Sequence, residues 1–370
     1  MRIDYNIHLD YSDVLLQPKR STLNSRRDVD ILRKFKFRNS GKELSYVPIV
    51  ASNMDGVGTF SMARVLQEYK MLTVIRKHYT LDDWKQAAGT GLKFKYVSAC
   101  VGTGAIHNED ATDYQTLKQV MSSFPDIPCI TIDVANAYHE SFVDFVTKIR
   151  EEYPEKIIIA GNVVTPNMTE ELIIKGADIV KVGIGPGSVC TTRTQTGVGV
   201  PQFSAIMECS DAANGVGGHI IADGGCTQPG DVAKALSGGA HFVMLGGMLA
   251  GHDEGGGEVI TKTYETNEVT THDDGFYETV YNEKSFVEFY GMSSDAANTK
   301  HFGGLKDYRS SEGREVVVPY RGAVANTIQN ILGGLRSTCT YAGASRLKHL
   351  MRCVTFIRCY DTHNRVYENN

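Results

Sequence analysis

The chain has 370 residues, of which 42% are hydrophobic and 22% charged, with a formal net charge of −5. That balance excludes global disorder and supplies enough apolar material for a large core; the length admits two or three domains, or one large α/β barrel of about 250 residues or more. Ten acidic residues face only Lys262 and Lys284 between His252 and Glu288, so this segment carries −8 and the remainder +3, which suits a small anion but forms no basic stripe for nucleic acid.

Eight cysteines occur without a C-x-x-C pair, which speaks against a zinc site or a disulfide framework and for reduced thiols. The longest strongly apolar stretch, Phe242 to Gly251, is too short to span a bilayer, and the polar start Met1-Arg2-Ile3-Asp4 has no signal-peptide pattern. A cytoplasmic protein with neither a membrane nor a nucleic-acid partner is the expectation.

Residues 1–46 precede the first apolar run and are expected to form an N-terminal arm over the bottom of a catalytic domain covering 47–370. Eight short apolar runs follow: Val47–Val50, Met71–Ile75, Tyr96–Cys100, Pro128–Asp133, Lys156–Gly161, Asp178–Ile184, His219–Asp223 and His241–Gly246. Continuous β-branched runs are the mark of parallel strands buried on both faces. Between them lie helical patterns, with Met62, Val65, Leu66 and Tyr69 on one face and Phe142, Phe145, Val146 and Ile149 on another. Thr169 is placed to cap a helix stopping at Gly176, and Pro229 to open one stopping at Gly238.

Eight β/α repeats predict a single-domain α/β fold, a (β/α)8 TIM barrel. A doubly wound open sheet is the alternative, but no G-x-G-x-x-G follows any run. The acidic segment 252–288 lacks clear periodicity and reads as a flexible, solvated insertion after strand eight. A last helix carries Val324, Ile328, Ile331 and Leu335.

Barrel ligands sit just past the strands, where this chain is polar: Asn53 and Asp55, Lys77 and His78, Asp133 and Asn136, Asn162, Cys190, Asp223-Gly224-Gly225 and Gly246-Gly247. Glycine pairs after the last two strands suit a phosphate held on backbone amides. Cys190, at the end of Gly183-Ile184-Gly185-Pro186-Gly187-Ser188-Val189, is the candidate nucleophile, because the loop exposes a thiol among hydrogen-bond donors. Cys100, Cys129 and Cys209 read as small buried hydrophobes. Asp133 could cap a helix at Asn136. Lys181, inside run six, is either a Schiff-base lysine or a buried lysine paired with an acid.

The loop from Gly183 through Cys190-Thr191-Thr192-Arg193 to Thr196-Gly197-Val198-Gly199, with Asp223-Gly224-Gly225-Cys226 and Phe289-Tyr290-Gly291-Met292-Ser293-Ser294, resembles the IMP dehydrogenase and GMP reductase family. The likeness runs from Asp13-Val14-Leu15 to Thr355-Phe356-Ile357-Arg358 and leans to the reductase side. Only about twenty residues separate Lys77 from Tyr96, too few for the paired regulatory domains usual in the dehydrogenases, and no Arg-Tyr water-activating pair occurs.

The resemblance implies NADPH-dependent reductive deamination of GMP to IMP with ammonia release. Catalysis would fall to Cys190 through a thioimidate, with Thr192 and Glu312 relaying protons. It implies substrate contacts from Asp223 to ribose, from Gly224, Gly225, Gly246 and Gly247 to phosphate, and from Met292, Ser293, Ser294, Arg309, Ser310 and Gly313 to the base. Cofactor contacts fall on Lys77, Asp133, Val134, Ala135, Ile184 and Gly185, with Ser25, Arg26, Ser337 and Thr340 contributed by a neighbouring subunit of a homotetramer. A potassium ion would sit on Gly185, Gly187, Cys190 and Arg193. Oxidation of IMP to XMP, or purine sensing without turnover, are the competing activities. Ala137 and Arg76 depart from the family pattern, where a glycine and a histidine are usual.

Overall fold

The computed structural model describes residues 3–102, 104, 106, 108, 110–271, 277–308 and 310–360. Eight parallel strands close into a barrel: Ile49–Ala51, Leu72–Val74, Val97–Val101, Cys129–Asp133, Ile157–Val163, Ile179–Val182, His219–Asp223 and Phe242–Leu245, the last pairing back onto the first. Each lies within or against one of the eight apolar runs. Nearly every strand residue is buried, which is why the runs read as continuous rather than alternating.

Helices fill the connections, among them Phe60–Leu66, Glu140–Glu152, Pro166–Ile174, Gln202–Gly215 and Pro229–Ser237. Phe142, Phe145, Val146 and Ile149 bury one helix face, as their spacing requires. Pro229 opens its helix and Gly238 closes it. The helix ascribed to a Thr169 cap begins earlier, with Thr165 at its N-cap and Pro166 in the first turn, where the missing N–H costs nothing; Thr169 is buried inside it and donates to the Thr165 carbonyl at 2.9 Å.

The barrel interior is filled by Val50, Val74, Ile157, Ile159, Ile179, Ile221 and Met244. Its lower end is covered by an N-terminal hairpin, Arg33–Lys36 paired with Glu43–Tyr46. Phe35 stacks on Phe242 with ring centroids 4.2 Å apart, and the His219 ring meets Phe35 and Phe37 edge-on. Farther out, Val14–Leu16 pairs antiparallel with Phe356–Arg358, tying the two ends of the chain together.

The acidic segment differs from the sequence expectation. Instead of lacking regular structure, it forms a long antiparallel hairpin, Val259–Thr271 against Tyr277–Tyr290, and Glu315–Pro319 adds a third strand at its root; Asp273 and Asp274 lie outside the described residues. Periodicity failed because the outer ladder is solvated on both faces, with Val259, Val269 and Tyr281 exposed. Only at the root, where buried Val287 and Phe289 flank exposed Glu288, does the two-residue period of a half-buried strand appear. Among the described residues no helix is long and apolar enough to cross a membrane.

Candidate active site

A cavity of about 240 Å³ opens where the barrel strands end, lined by Asp133 from strand four, Asn162 from strand five and Asp223 from strand seven. The glycine loop after strand six forms a further wall. At Gly183 φ is +154° and a Cβ would stand 2.0 Å from the Asp223 carbonyl oxygen, so only a hydrogen fits where the loop passes strand seven. The buried Gln202 amide clamps this crossing, donating to the carbonyls of Val182 at 2.8 Å and Asp223 at 3.2 Å.

The loop delivers Cys190 half-buried to the cavity wall, with its N–H donating to the Gly187 carbonyl at 3.1 Å. Cys190 Sγ lies 3.2 Å from Thr192 Oγ1, and Thr192 Oγ1 donates to Glu312 Oε2 at 2.7 Å. The thiol, the hydroxyl and the carboxylate thus form one hydrogen-bonded row beside a cavity. Such a row can move a proton between a nucleophile's leaving group and a carboxylate.

Glu312 reaches the row through the hairpin sheet. The strand Glu315–Pro319 is held by Phe286–Tyr290, and the residues before it are pinned to the cysteine loop: Arg314 N–H donates to the Val189 carbonyl at 2.9 Å and Thr191 N–H to the Glu312 carbonyl at 2.9 Å. On the other side Glu312 N–H donates to the Ser293 carbonyl at 3.3 Å. The acidic insertion is therefore the frame on which this carboxylate stands.

Met292 and Ser293 line the cavity, whereas Ser294 turns away to cap the helix Asp295–Phe302, accepting from Ala297 N–H at 3.2 Å. Gly224, Gly225, Gly246 and Gly247 line the cavity near strands seven and eight. Gly224 has φ +92°, and a Cβ there would come within 2.9 Å of Pro186. Val134, Ala135, Ile184, Gly185 and Gly187 also face the cavity. Ser310 bonds Gln195, and Gly313 bridges Cys190 through the backbone.

Other candidates are not among the described residues that line this cavity. Arg309 lies outside the described residues. Lys77 Nζ lies against Gly102, close enough for its charge to act on Cys100 and on Asp133 at the cavity edge. Arg193 turns outward to Asp10 at 3.2 Å and to the Val200 carbonyl at 2.8 Å. Ser25 caps the turn Arg26–Asp28, which packs against the helix Val324–Ala342 bearing Ser337 and Thr340, away from the cavity within a single chain.

Asp133 does not cap a helix. Its Oδ2 accepts from Asn53 at 2.9 Å and its Oδ1 from Lys181, which also donates to Asp223 Oδ2 at 3.1 Å; Asn162 donates to that same oxygen at 2.9 Å. Burial opposes charge on Asp133, but Lys181 outweighs it and holds the carboxyl below its usual range. Lys181 is thus the acid-paired lysine, not a Schiff-base one. Asn162 Oδ1 is buried with no partner among the described residues.

Burial pushes the thiols of Cys100 and Cys129 up to about 12, consistent with small buried hydrophobes. Cys226 lines the cavity, but burial, with Asp231 adding, raises its thiol far above the ordinary range. One polar cluster was half legible in the sequence, which offers Asp55 and His78 past strands one and two but gives no sign of Tyr290 or His301. Asp55 Oδ2 lies 2.6 Å from His301 Nε2 and accepts from Tyr290 OH at 2.7 Å, and the His301 ring stacks on His78 with centroids 3.5 Å apart. It fastens the helix after the 291–294 turn to the ends of strands one and two, and Tyr290 and His301 are 235 and 246 residues from Asp55 in the chain.

A family model described as the IMP dehydrogenase / GMP reductase domain matches residues 8–366. The chain belongs to this family and is an enzyme, an oxidoreductase; membership implies a nicotinamide cofactor. Three curated relatives are each named GMP reductase. The protein of Klebsiella pneumoniae subsp. pneumoniae is 54% identical over all of both chains, and those of Photobacterium profundum and Vibrio cholerae serotype O1 are 53% and 52% identical over 99% of both.

Proposed function

We propose that this enzyme reduces GMP to IMP and ammonia with NADPH, through a covalent thioimidate on Cys190. The observation that carries the reading is the row Cys190–Thr192–Glu312 at the wall of the cavity. Cys190 sulfur bonds to C2 of the guanine, and the C2–amino bond breaks. The thiol proton passes through Thr192 to Glu312 as the bond to C2 forms, and Glu312 returns it through Thr192 to the departing amine, which leaves as ammonia. Bound NADPH supplies the hydride that C2 then receives. The S–C2 bond breaks next, the electron pair returns to sulfur, and IMP is released.

Asp223 would accept from the ribose hydroxyls, the amides at Gly224, Gly225, Gly246 and Gly247 would hold the phosphate, and Met292, Ser293, Arg309, Ser310 and Gly313 the base, with Ser294 fixing the turn that presents Met292 and Ser293. Lys77 and Asp133 to Ala135, with Ile184 and Gly185, would hold the cofactor. The potassium site fits the loop's chemistry: the Gly187 carbonyl takes one hydrogen bond from Cys190 and the Arg193 carbonyl one from Gly197, leaving each a second lone pair for a hard cation.

Because Ser25, Arg26, Ser337 and Thr340 gather away from the cavity of their own chain, they suit a neighbouring subunit's cofactor in a cytoplasmic homotetramer. The test is to mix the enzyme with GMP and NADPH and follow reduced-nicotinamide absorbance and ammonia together. Wild type should consume both reactants one for one, and Cys190→Ala should be inactive. No ammonia from wild type, or consumption of IMP with oxidised cofactor in its place, would reject the reading.

A further inference from the structure

Lys181 stands 2% exposed inside the barrel, a buried cation with no part in the proton row. A chain of hydrogen bonds passes through it across the barrel mouth: Asn53 to Asp133, Lys181 to Asp133 on one side and to Asp223 on the other, and Asn162 to Asp223. Two carboxylates share one ammonium, so the triad keeps a net negative charge. Burial by itself would drive the lysine neutral, but Asp133 and Asp223 overcome it and keep it protonated.

An ammonium has no acceptor and three donors, two of which these carboxylates take. The arrangement therefore sets the direction in which each carboxylate presents its remaining lone pairs. Both carboxylates line the cavity, Asp223 followed in the chain by Gly224 and Gly225, and Asp133 by Val134 and Ala135.

We propose that Lys181 is a positioning residue for sugar recognition, holding Asp223 aimed at the ribose so that the site selects ribonucleotides over 2′-deoxyribonucleotides. The inference rests on Asp223 being the ribose carboxylate. Without Lys181 the two carboxylates lose the ammonium that joins them; Asp223 is then free to turn away from the ribose, and that change spoils it as an acceptor for hydroxyls. A site built to accept from a hydroxyl discriminates strongly against the analogue lacking it, and that discrimination is what the lysine sustains.

The experiment compares kcat/KM for GMP and 2′-deoxy-GMP in wild type, Lys181→Met, Lys181→Gln and Asn53→Ala. Wild type should prefer GMP. Lys181→Met should lower GMP turnover by about a hundredfold or more and the deoxynucleotide's much less, so that the ratio moves toward unity. Lys181→Gln, which keeps a donor without the charge, should fall between. Asn53→Ala lies two residues from Asp223 along the hydrogen-bond chain; by letting Asp133 draw Lys181 over, it should reduce the ratio by about two- to fivefold.

A folded Lys181→Met with an undiminished ratio would overturn the proposal even if its kcat fell, since a purely structural lysine would lower both substrates alike. If neither Lys181 variant folds, an unchanged ratio in Asn53→Ala overturns it instead. A wild type that turns over both nucleotides equally refutes it as well. Wild type that leaves GMP untouched refutes the proposed reaction itself.

Discussion

Replacing Thr192 by Val keeps the side chain's shape and removes one oxygen. That oxygen lies 3.2 Å from Cys190 Sγ and donates to Glu312 at 2.7 Å, so the change cuts the row at its middle atom. A hydrogen bond to a charged group contributes about 1.5–3 kcal/mol. Taken from the transition state alone, that is about a ten- to hundredfold loss of rate. Loss of the proton path itself, for which general acid–base catalysis sets a scale of about 10²–10⁴, raises the expected slowing of ammonia release to about 10²–10³.

Glu312 and Thr192 are both partly exposed, so water can replace the lost donor and the fold should hold. GMP affinity should stay within about twofold, because the oxygen works on the departing amine and not on the bound nucleotide. Rapid-quench single turnovers, with ammonia and IMP measured separately, would show ammonia release becoming the slow step. Ammonia released at the wild-type rate by Thr192→Val would refute the relay. A fall in GMP affinity matching the fall in rate would make Thr192 a binding group instead.

Asp178 is fully buried and accepts from Arg150 at 2.7 Å and from the backbone N–H groups of Asn39, Ser40 and Ile158. Asp178→Asn should lower unfolding free energy in urea by about 3–5 kcal/mol, because the Arg150 charge is left uncompensated; a loss below about 1 kcal/mol would put the pair with exposed ones. Gly224→Ala should raise the KM for GMP by about five- to a hundredfold through strain at φ +92° and the contact with Pro186, and an unchanged KM would remove this glycine from the phosphate cradle.

Burial, with His219 and Arg33 adding, holds His241 well below the usual histidine range, so the folded chain keeps it neutral. Below about pH 6.5 the unfolded chain takes up a proton that the folded one refuses, and stability should fall on acidification by up to about 1.4 kcal/mol per pH unit from this group. Urea midpoints at descending pH would show that slope, reduced in His241→Asn; equal slopes in both proteins would count against it.

Much of the fold was legible because burial on both faces writes itself as unbroken apolar runs, and all eight barrel strands were visible that way. The nucleophile's loop was equally plain, since its glycines, its cysteine and Thr192 are neighbours in sequence. The hairpin was not. A ladder wet on both faces has no pattern of burial to display, and only its root, at Val287 and Phe289, is packed.

The sequence by itself determined the strands, the helical faces and the placement of Cys190 after strand six, because each depends on contacts within a few residues or on burial of a continuous run. Only the tertiary structure decided that Glu312, 120 positions from Thr192, stands 2.7 Å from its hydroxyl, that Lys181 lies between Asp133 and Asp223, and that Asp55 meets His301. Such pairs join residues whose chain positions are unrelated. Closure of the barrel and the pairing of the hairpin root bring them together, and no local preference encodes either distance.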